Sequence, residues 1–267
     1  HMYQTTYHRA SSVADAVKLI KKADDGKLLS GGMTLIPAMK LRLAAPSDLV
    51  DLRHVPELKG IKVAGKTVTI GAGTTHAEVA THEKLKAACP AICHLAGHIG
   101  DPQVRHMGTI GGSIANNDPA ADYPAALLAL NATIVTNRRE IAADKFFRGL
   151  FETALKEDEI VTAVTFAAPA KCGYAKFPNP ASRFALTGVF VASDKGSVRV
   201  AVTGAGEDGV FRSKEIEAAL AKTFEPSALD GVTVPAKNLM GDIHASPEYR
   251  ANLIVVMAKR AVAAANG

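Results

Sequence analysis

The most constraining stretch of the chain is Thr109-Ile110-Gly111-Gly112-Ser113, running on to Asn116-Asn117-Asp118 and Asp122. It is polar and glycine-rich, yet apolar runs flank it on both sides. Backbone polar groups held between apolar segments need partners. A phosphate-bearing cofactor would supply them, with Asn116 and Asp122 available to sugar hydroxyls. A plainer reading competes: Asp122, just ahead of Tyr123-Pro124, is also a good helix N-cap.

A second stretch, Ser30-Gly31-Gly32-Met33-Thr34, falls between a short strand and a helix. Paired glycines let backbone N–H groups turn toward one point, and a helix N-terminus adds partial positive charge there. That makes an anion cradle, although an ordinary strand-to-helix turn has the same composition.

The surrounding pattern predicts alternating elements. Ser12 and Asp15 cap a helix carrying Val13, Ala16, Val17 and Ile20 at helical spacing. Strands are expected at 27–29 and 48–52, with an apolar helix over 34–43 between them. A hairpin over 61–64 and 67–72, helices over 76–87 and 90–99, and a loop over 100–112 follow. A helix at 123–130 then leads to strands at 132–136 and 159–166. Beyond Pro169 the chain reads as a loop at 177–180, a hairpin of strands 186–192 and 198–203, and helices at 213–222 and 248–265. Hairpins dominate and no sustained βαβ alternation is visible, so the pattern favours α+β, with a boundary near 170.

The 267 residues allow one large domain or two moderate ones. A net charge of +5 suits anionic ligands. The basic residues are scattered, without the patch or aromatic interleaving of a nucleic-acid surface. Three cysteines, Cys89, Cys93 and Cys172, argue against a disulfide framework and fit a reducing compartment. No signal peptide or membrane span is read, and His1-Met2 reads as an expression scar.

Taken together, Gln103-Val104-Arg105-His106-Met107-Gly108 followed by Thr109-Ile110-Gly111-Gly112-Ser113-Ile114-Ala115-Asn116, with Asp118-Pro119-Ala120-Ala121-Asp122, resembles the second flavin motif of one family. These are the FAD-binding subunits of molybdenum hydroxylases: medium subunits of aerobic carbon monoxide dehydrogenases and the flavin domain of xanthine dehydrogenases. Ser30 to Leu35 is similar to the family's first motif, Ala-Gly-Gly-Thr-Asp-Leu. The resemblance runs from Tyr3 onward and takes in Ala205-Gly206, Phe211-Arg212-Ser213 and Glu217-Ala218 near the end. Met33, Thr34 and Arg183 depart from the usual residues, which are Thr or His, Asp or Ser, and Asp.

The resemblance implies a vanillyl-alcohol oxidase-like FAD-binding fold. It has two α+β subdomains, about 1–56 and 57–170, and a C-terminal α+β domain, 171–267. It places Ser30, Gly31, Gly32, Met33, Thr34 and Leu35, with Thr109, Gly111, Gly112 and Ser113, around the FAD pyrophosphate and ribityl chain. Asn116 and Asp122 would meet the sugar-phosphate portion, Asp118 would belong to the same cofactor-binding set, and Ile160 or Val161 would sit near the adenine or flavin ring. Lys176 would lie near the isoalloxazine and stabilise an anionic reduced flavin.

The implied role is electron transfer from 2Fe-2S clusters on a small partner subunit to quinone, oxygen or NAD. A large partner subunit would hold the molybdenum cofactor and oxidise the substrate, in a dimer of heterotrimers. The implied location is cytoplasmic, at or near the inner face of the membrane. No catalytic residue and no metal ligand is expected on this chain.

Two alternatives remain at this point. A self-sufficient vanillyl-alcohol oxidase-type oxidoreductase would need its own substrate pocket and base. A binding module that has lost FAD would keep the fold without the flavin. Two further patterns read as structural. Gly204-Ala205-Gly206-Glu207-Asp208-Gly209 matches a dinucleotide fingerprint, but its helix starts too late. Cys89, Cys93, His94 and His98 read as core cysteines and partly buried histidines rather than a zinc site.

Overall fold

The structure is a computed structural model that describes residues 4–267; His1-Met2 lies outside that range. Its first lobe runs β1 (Thr6–Arg9), α1 (Val13–Lys22), β2 (Gly26–Leu29), α2 (Leu35–Lys40) and β3 (Asp48–Asp51). Ser12 caps α1, accepting the Asp15 N–H at 3.0 Å, while Val13 and Ala16 face the core. The three strands are parallel in the order β1-β3-β2. This lobe is therefore a small β-α-β-α-β unit: α1, β2, α2 and β3 fall where the sequence pattern expects them, while β1 and the parallel pairing are not visible in it. Strands of four residues carry too little pattern to mark a parallel sheet.

The middle lobe opens with the hairpin β4 (Ile61–Ala64) and β5 (Thr67–Gly71). Helices α3 (His76–Thr81), α4 (Glu83–Ala88) and α5 (Pro90–Gly97) follow. The helix expected over 76–87 is thus two, split where the His82 ring accepts the Leu85 N–H and restarts the chain. The loop expected over 100–112 holds α6 (Pro102–Met107) and the start of α7 (Ile110–Asn116). Next comes α8 (Tyr123–Ala129), every residue of which is buried. Strands β6 (Thr133–Thr136) and β7 (Glu140–Ala142), helix α9 (Ala143–Phe146) and the small hairpin β8 (Phe147–Gly149) and β9 (Glu152–Thr153) lead to β10 (Val161–Ala167). The lobe's main sheet is antiparallel, ordered β4-β5-β10-β6-β7.

The last lobe is an antiparallel sheet of β11 (Lys171–Pro178), β12 (Ala185–Asp194), β13 (Ser197–Thr203) and β14 (Phe211–Arg212), with α10 (Lys214–Lys222) and α11 (Pro247–Asn266). Strand β11 is not expected from the sequence pattern, and residues 177–178, expected as loop, are its end. The register shifts there, where Pro178 cannot donate to the ladder. Residues 185–192 of β12 are all buried. Phe190 and Ala192 join the core shared with the first two lobes, and Val189 and Val191 join the core under α11. Alternate side chains thus bury both faces of one strand, and the sheet becomes the common wall of two cores. The α+β class holds for the whole chain.

Candidate functional site

A cleft of about 770 Å³ opens between the lobes, within the range of small-molecule sites. Fifteen of the sixteen residues singled out from the sequence line it: residues 30–35, Thr109, Gly111, Gly112, Ser113, Asn116, Asp118, Asp122, Ile160 and Val161. Lys176 is the exception.

The two glycine loops, 79 residues apart in sequence, are joined at the cleft floor. Ser30 Oγ and Thr109 Oγ1 share a hydrogen bond of 2.8 Å. Gly31 lies directly on the backbone of Met107 and Gly108, where a Cβ would overlap the Met107 carbonyl oxygen. Only glycine permits that approach. The backbones of the two loops are therefore in contact, and the cleft is built at their seam.

Each loop offers different chemistry. Among the described residues, none accepts the N–H groups of Gly31, Gly32, Met33 or Thr34. These four sit at the start of α2, so the first loop is a cradle of unspent donors. The second loop differs from the sequence argument, because the chain satisfies its own N–H groups. Ile110 donates to the Thr74 carbonyl and Gly111 to the Ala72 carbonyl. Gly112 donates to Thr109 Oγ1 at 3.1 Å and Ser113 to the Thr109 carbonyl. What this loop presents is an exposed Gly112 with no side chain, beside the hydroxyls of Thr109 and Ser113.

Asp122 is 4% exposed and does not cap α8 with its side chain. Its carboxylate takes the Tyr174 hydroxyl at 2.6 Å and lies 3.1 and 3.2 Å from Lys176 Nζ. Burial raises the Asp122 carboxyl above its ordinary range, opposed by the Lys176 charge and the Tyr174 bond. Burial and the Asp122 charge push the Tyr174 phenol well up. Lys176 is itself nearly buried and also donates to the His98 carbonyl. It reaches the cleft through Asp122 rather than from the wall.

On the opposite side, Ile160 and Val161 are buried and fixed by their neighbours. Ile160 N–H donates to Asn137 Oδ1, and Asn137 N–H donates back to the Ile160 carbonyl. Glu159 anchors the same turn, taking Arg139 Nε and Nη2, the Thr136 hydroxyl and the Lys156 N–H. The Arg139 bonds are the main reason its carboxyl sits at about 2. Asn117, beside Asn116, serves the scaffold, since its amide donates to the Gly149 and Glu152 carbonyls and holds the β8–β9 hairpin. Asp118 closes its own turn, accepting from the Ala120 N–H.

Sequence reasoning misses His76, which also lines the cleft. Burial, then the nearby Arg105 charge, lower its imidazole to about 4. A lone histidine has no spacing to flag it; its place just after a strand and the turn Gly73-Thr74-Thr75 is the only sign. The other two patterns fall elsewhere. Residues 204–209 form a turn ahead of α10, with positive φ at Gly204 and Gly209. Cys89 and Cys93 are buried core residues, with Cys89 Sγ 3.4 Å from Cys172 Sγ. Among the described residues, no group of three His, Cys, Asp or Glu could hold a metal ion.

Four unspent N–H donors, the Ser113 hydroxyl and a floor without side chains fit the anionic, hydroxyl-rich half of a dinucleotide such as FAD. Comparison with known proteins agrees. Residues 2–169 match the FAD binding domain in molybdopterin dehydrogenase. The carbon monoxide dehydrogenase medium chain of Hydrogenophaga pseudoflava is 35% identical over 97% of this chain and 96% of its own. The nicotine 6-hydroxylase medium subunit of Paenarthrobacter nicotinovorans is 34% identical, covering 96% and 95%. The structure of reconstituted CO dehydrogenase from Oligotropha carboxidovorans superposes with a TM-score of 0.88 at 34% identity, over 99% of this chain and 98% of that one. The chain belongs to the FAD-binding subunits of the molybdenum hydroxylase family and is an FAD-dependent oxidoreductase subunit.

Proposed function

We propose that FAD lies in the cleft with its diphosphate on the N–H groups of residues 31–34 and against Gly112. Ser30, Leu35, Thr109, Gly111 and Ser113 shape that seat. Asn116 and Asp118 face the sugar portion, and Ile160 and Val161 give an apolar wall for a ring. Asp122 stands with Lys176 as a buried pair at the cleft's edge, so the lysine's charge acts on the flavin through the carboxylate. When bound, FAD supplies the redox chemistry; the chain binds it, orients it and sets the electrostatics around it. The joined loops carry this reading, because they put unspent donors and a bare glycine surface on one seam.

The function that follows is transfer of electrons from partner 2Fe-2S clusters to an external acceptor, with molybdenum chemistry on a separate large subunit. We place the chain in a dimer of heterotrimers, in the cytoplasm. Among the described residues no helix is long and apolar enough to cross a membrane. We divide the chain into an FAD-binding domain, 1–170, with subdomains about 1–56 and 57–170, and a C-terminal domain, 171–267. The matched span supports the first boundary.

The test is an absorption spectrum of the purified chain with and without added FAD, then release and identification of the bound nucleotide. FAD in about equimolar amount is expected. No flavin, with the chain alone and with its partner subunits, would overturn the assignment.

A further inference from the structure

His76 is only 4% exposed but stands at the seam of the two glycine loops. A Cβ on Gly108 would lie 2.6 Å from His76 Nε2, and one on Gly31 would lie 2.7 Å from Gly108 Cα. The residue is also locked to the backbone of that seam, since the His76 N–H donates to the Gly108 carbonyl at 3.0 Å.

The two ring nitrogens have different surroundings. Nδ1 lies 3.2 Å from the Tyr123 hydroxyl. Tyr123 is fully buried, and its hydroxyl has no other partner among the described residues. A buried phenol must place its proton on an acceptor, so Tyr123 donates to Nδ1. That fixes the proton of the neutral ring on Nε2. Nε2 has no partner among the described residues, yet it is not one of the sealed, unpaired atoms, which are Ser213 Oγ and Arg250 Nε. It therefore opens on the cleft that His76 lines.

We propose that His76 is a further FAD-binding residue, its Nε2–H donated to an oxygen of the diphosphate–ribityl segment at the seam of the glycine loops. The inference rests on FAD occupying this cleft. Tyr123 acts as the positioning residue that selects the tautomer. Burial keeps the ring neutral at physiological pH, so the contact is a directed hydrogen bond rather than a charge.

The test compares FAD affinity in the full chain, within its complex where that is purified, after flavin removal. His76→Gln keeps an N–H donor near the Nε2 position and is expected to bind FAD within a few fold of the parent. His76→Asn places its amide near Nδ1 instead and is expected to bind about tenfold more weakly, the loss of one hydrogen bond to an anionic group. Equal affinity in all three proteins would overturn the proposal. Nitrogen-15 NMR of the unmutated protein decides it if a variant fails to fold. The apoprotein should show the Nε2–H tautomer, and FAD should slow exchange of that proton with water. An Nδ1–H tautomer, or a proton that exchanges as fast with FAD as without, sinks the idea. Failure of the unmutated chain and its complex to bind FAD would instead strike the cofactor assignment itself.

Discussion

Asp122 has almost no water around it, so its charge depends on two neighbours, Tyr174 and Lys176. Removing one partner of a buried pair is far more damaging than removing both. Asp122→Asn should destabilise the fold by about 3 kcal/mol, because it leaves the buried Lys176 ammonium with neutral acceptors and no opposing charge. Adding Lys176→Met should restore part of the loss. Denaturant unfolding of the two single variants and the double variant measures the coupling, and additive losses would show that the pair does not interact. His76 gives a pH signature of opposite origin. Its folded value is about 4 against 6.5 for the free ring, so between those limits the unfolded chain takes a proton that the native chain refuses. The stabilisation is present above pH 6.5 and drains away as pH falls toward 4, by up to about 1.4 kcal/mol per pH unit. His76→Gln does not titrate there, so its stability profile should be flatter than the parent's over that window. Parallel profiles from the two proteins would mean that the imidazole is not buried neutral.

The glycine loops work as elements because their backbones touch. Gly31→Ala would drive a methyl group into the Met107 carbonyl, a backbone atom that cannot rotate away. The loops must part, and the Ser30–Thr109 bond at their seam stretches with them. Overpacking of this kind typically costs about 1–3 kcal/mol. The expected outcome is a lower thermal midpoint and FAD binding weakened by more than tenfold, read by flavin fluorescence titration; unchanged affinity would show that the seam does not set the site. Much of this is legible in the sequence. The two Gly-Gly pairs, the Ser12 cap and the long terminal helix all leave local signatures. What stays hidden depends on distant partners. Helices α6 and α7, of six and seven residues, are too short to show a period, and α7 carries a glycine pair, so 100–112 reads as loop. The donors of residues 110 and 111 look unsatisfied because their acceptors, Thr74 and Ala72, lie on another segment.

At the scale of the molecule, the cleft is a junction rather than a pocket within one lobe. Its first wall hangs on the parallel sheet, its second on α7, and its buried acid is held by β11 of the last sheet. The core runs continuously from α1 through α8 to Tyr174 and Phe190, so these walls are packed on common ground. A ligand seated at the seam should therefore stabilise all of them together. Mass action sets the scale: FAD at a hundred times its dissociation constant adds about 2.7 kcal/mol to a two-state unfolding free energy. Hydrogen exchange read by mass spectrometry can tell where that energy goes. Peptides covering 30–35 and 108–113 should gain protection at the same FAD concentration, and the β11 peptide containing Tyr174 and Lys176 should follow them. Protection of one glycine loop without the other would contradict a shared seat, because the two are in backbone contact before any ligand arrives.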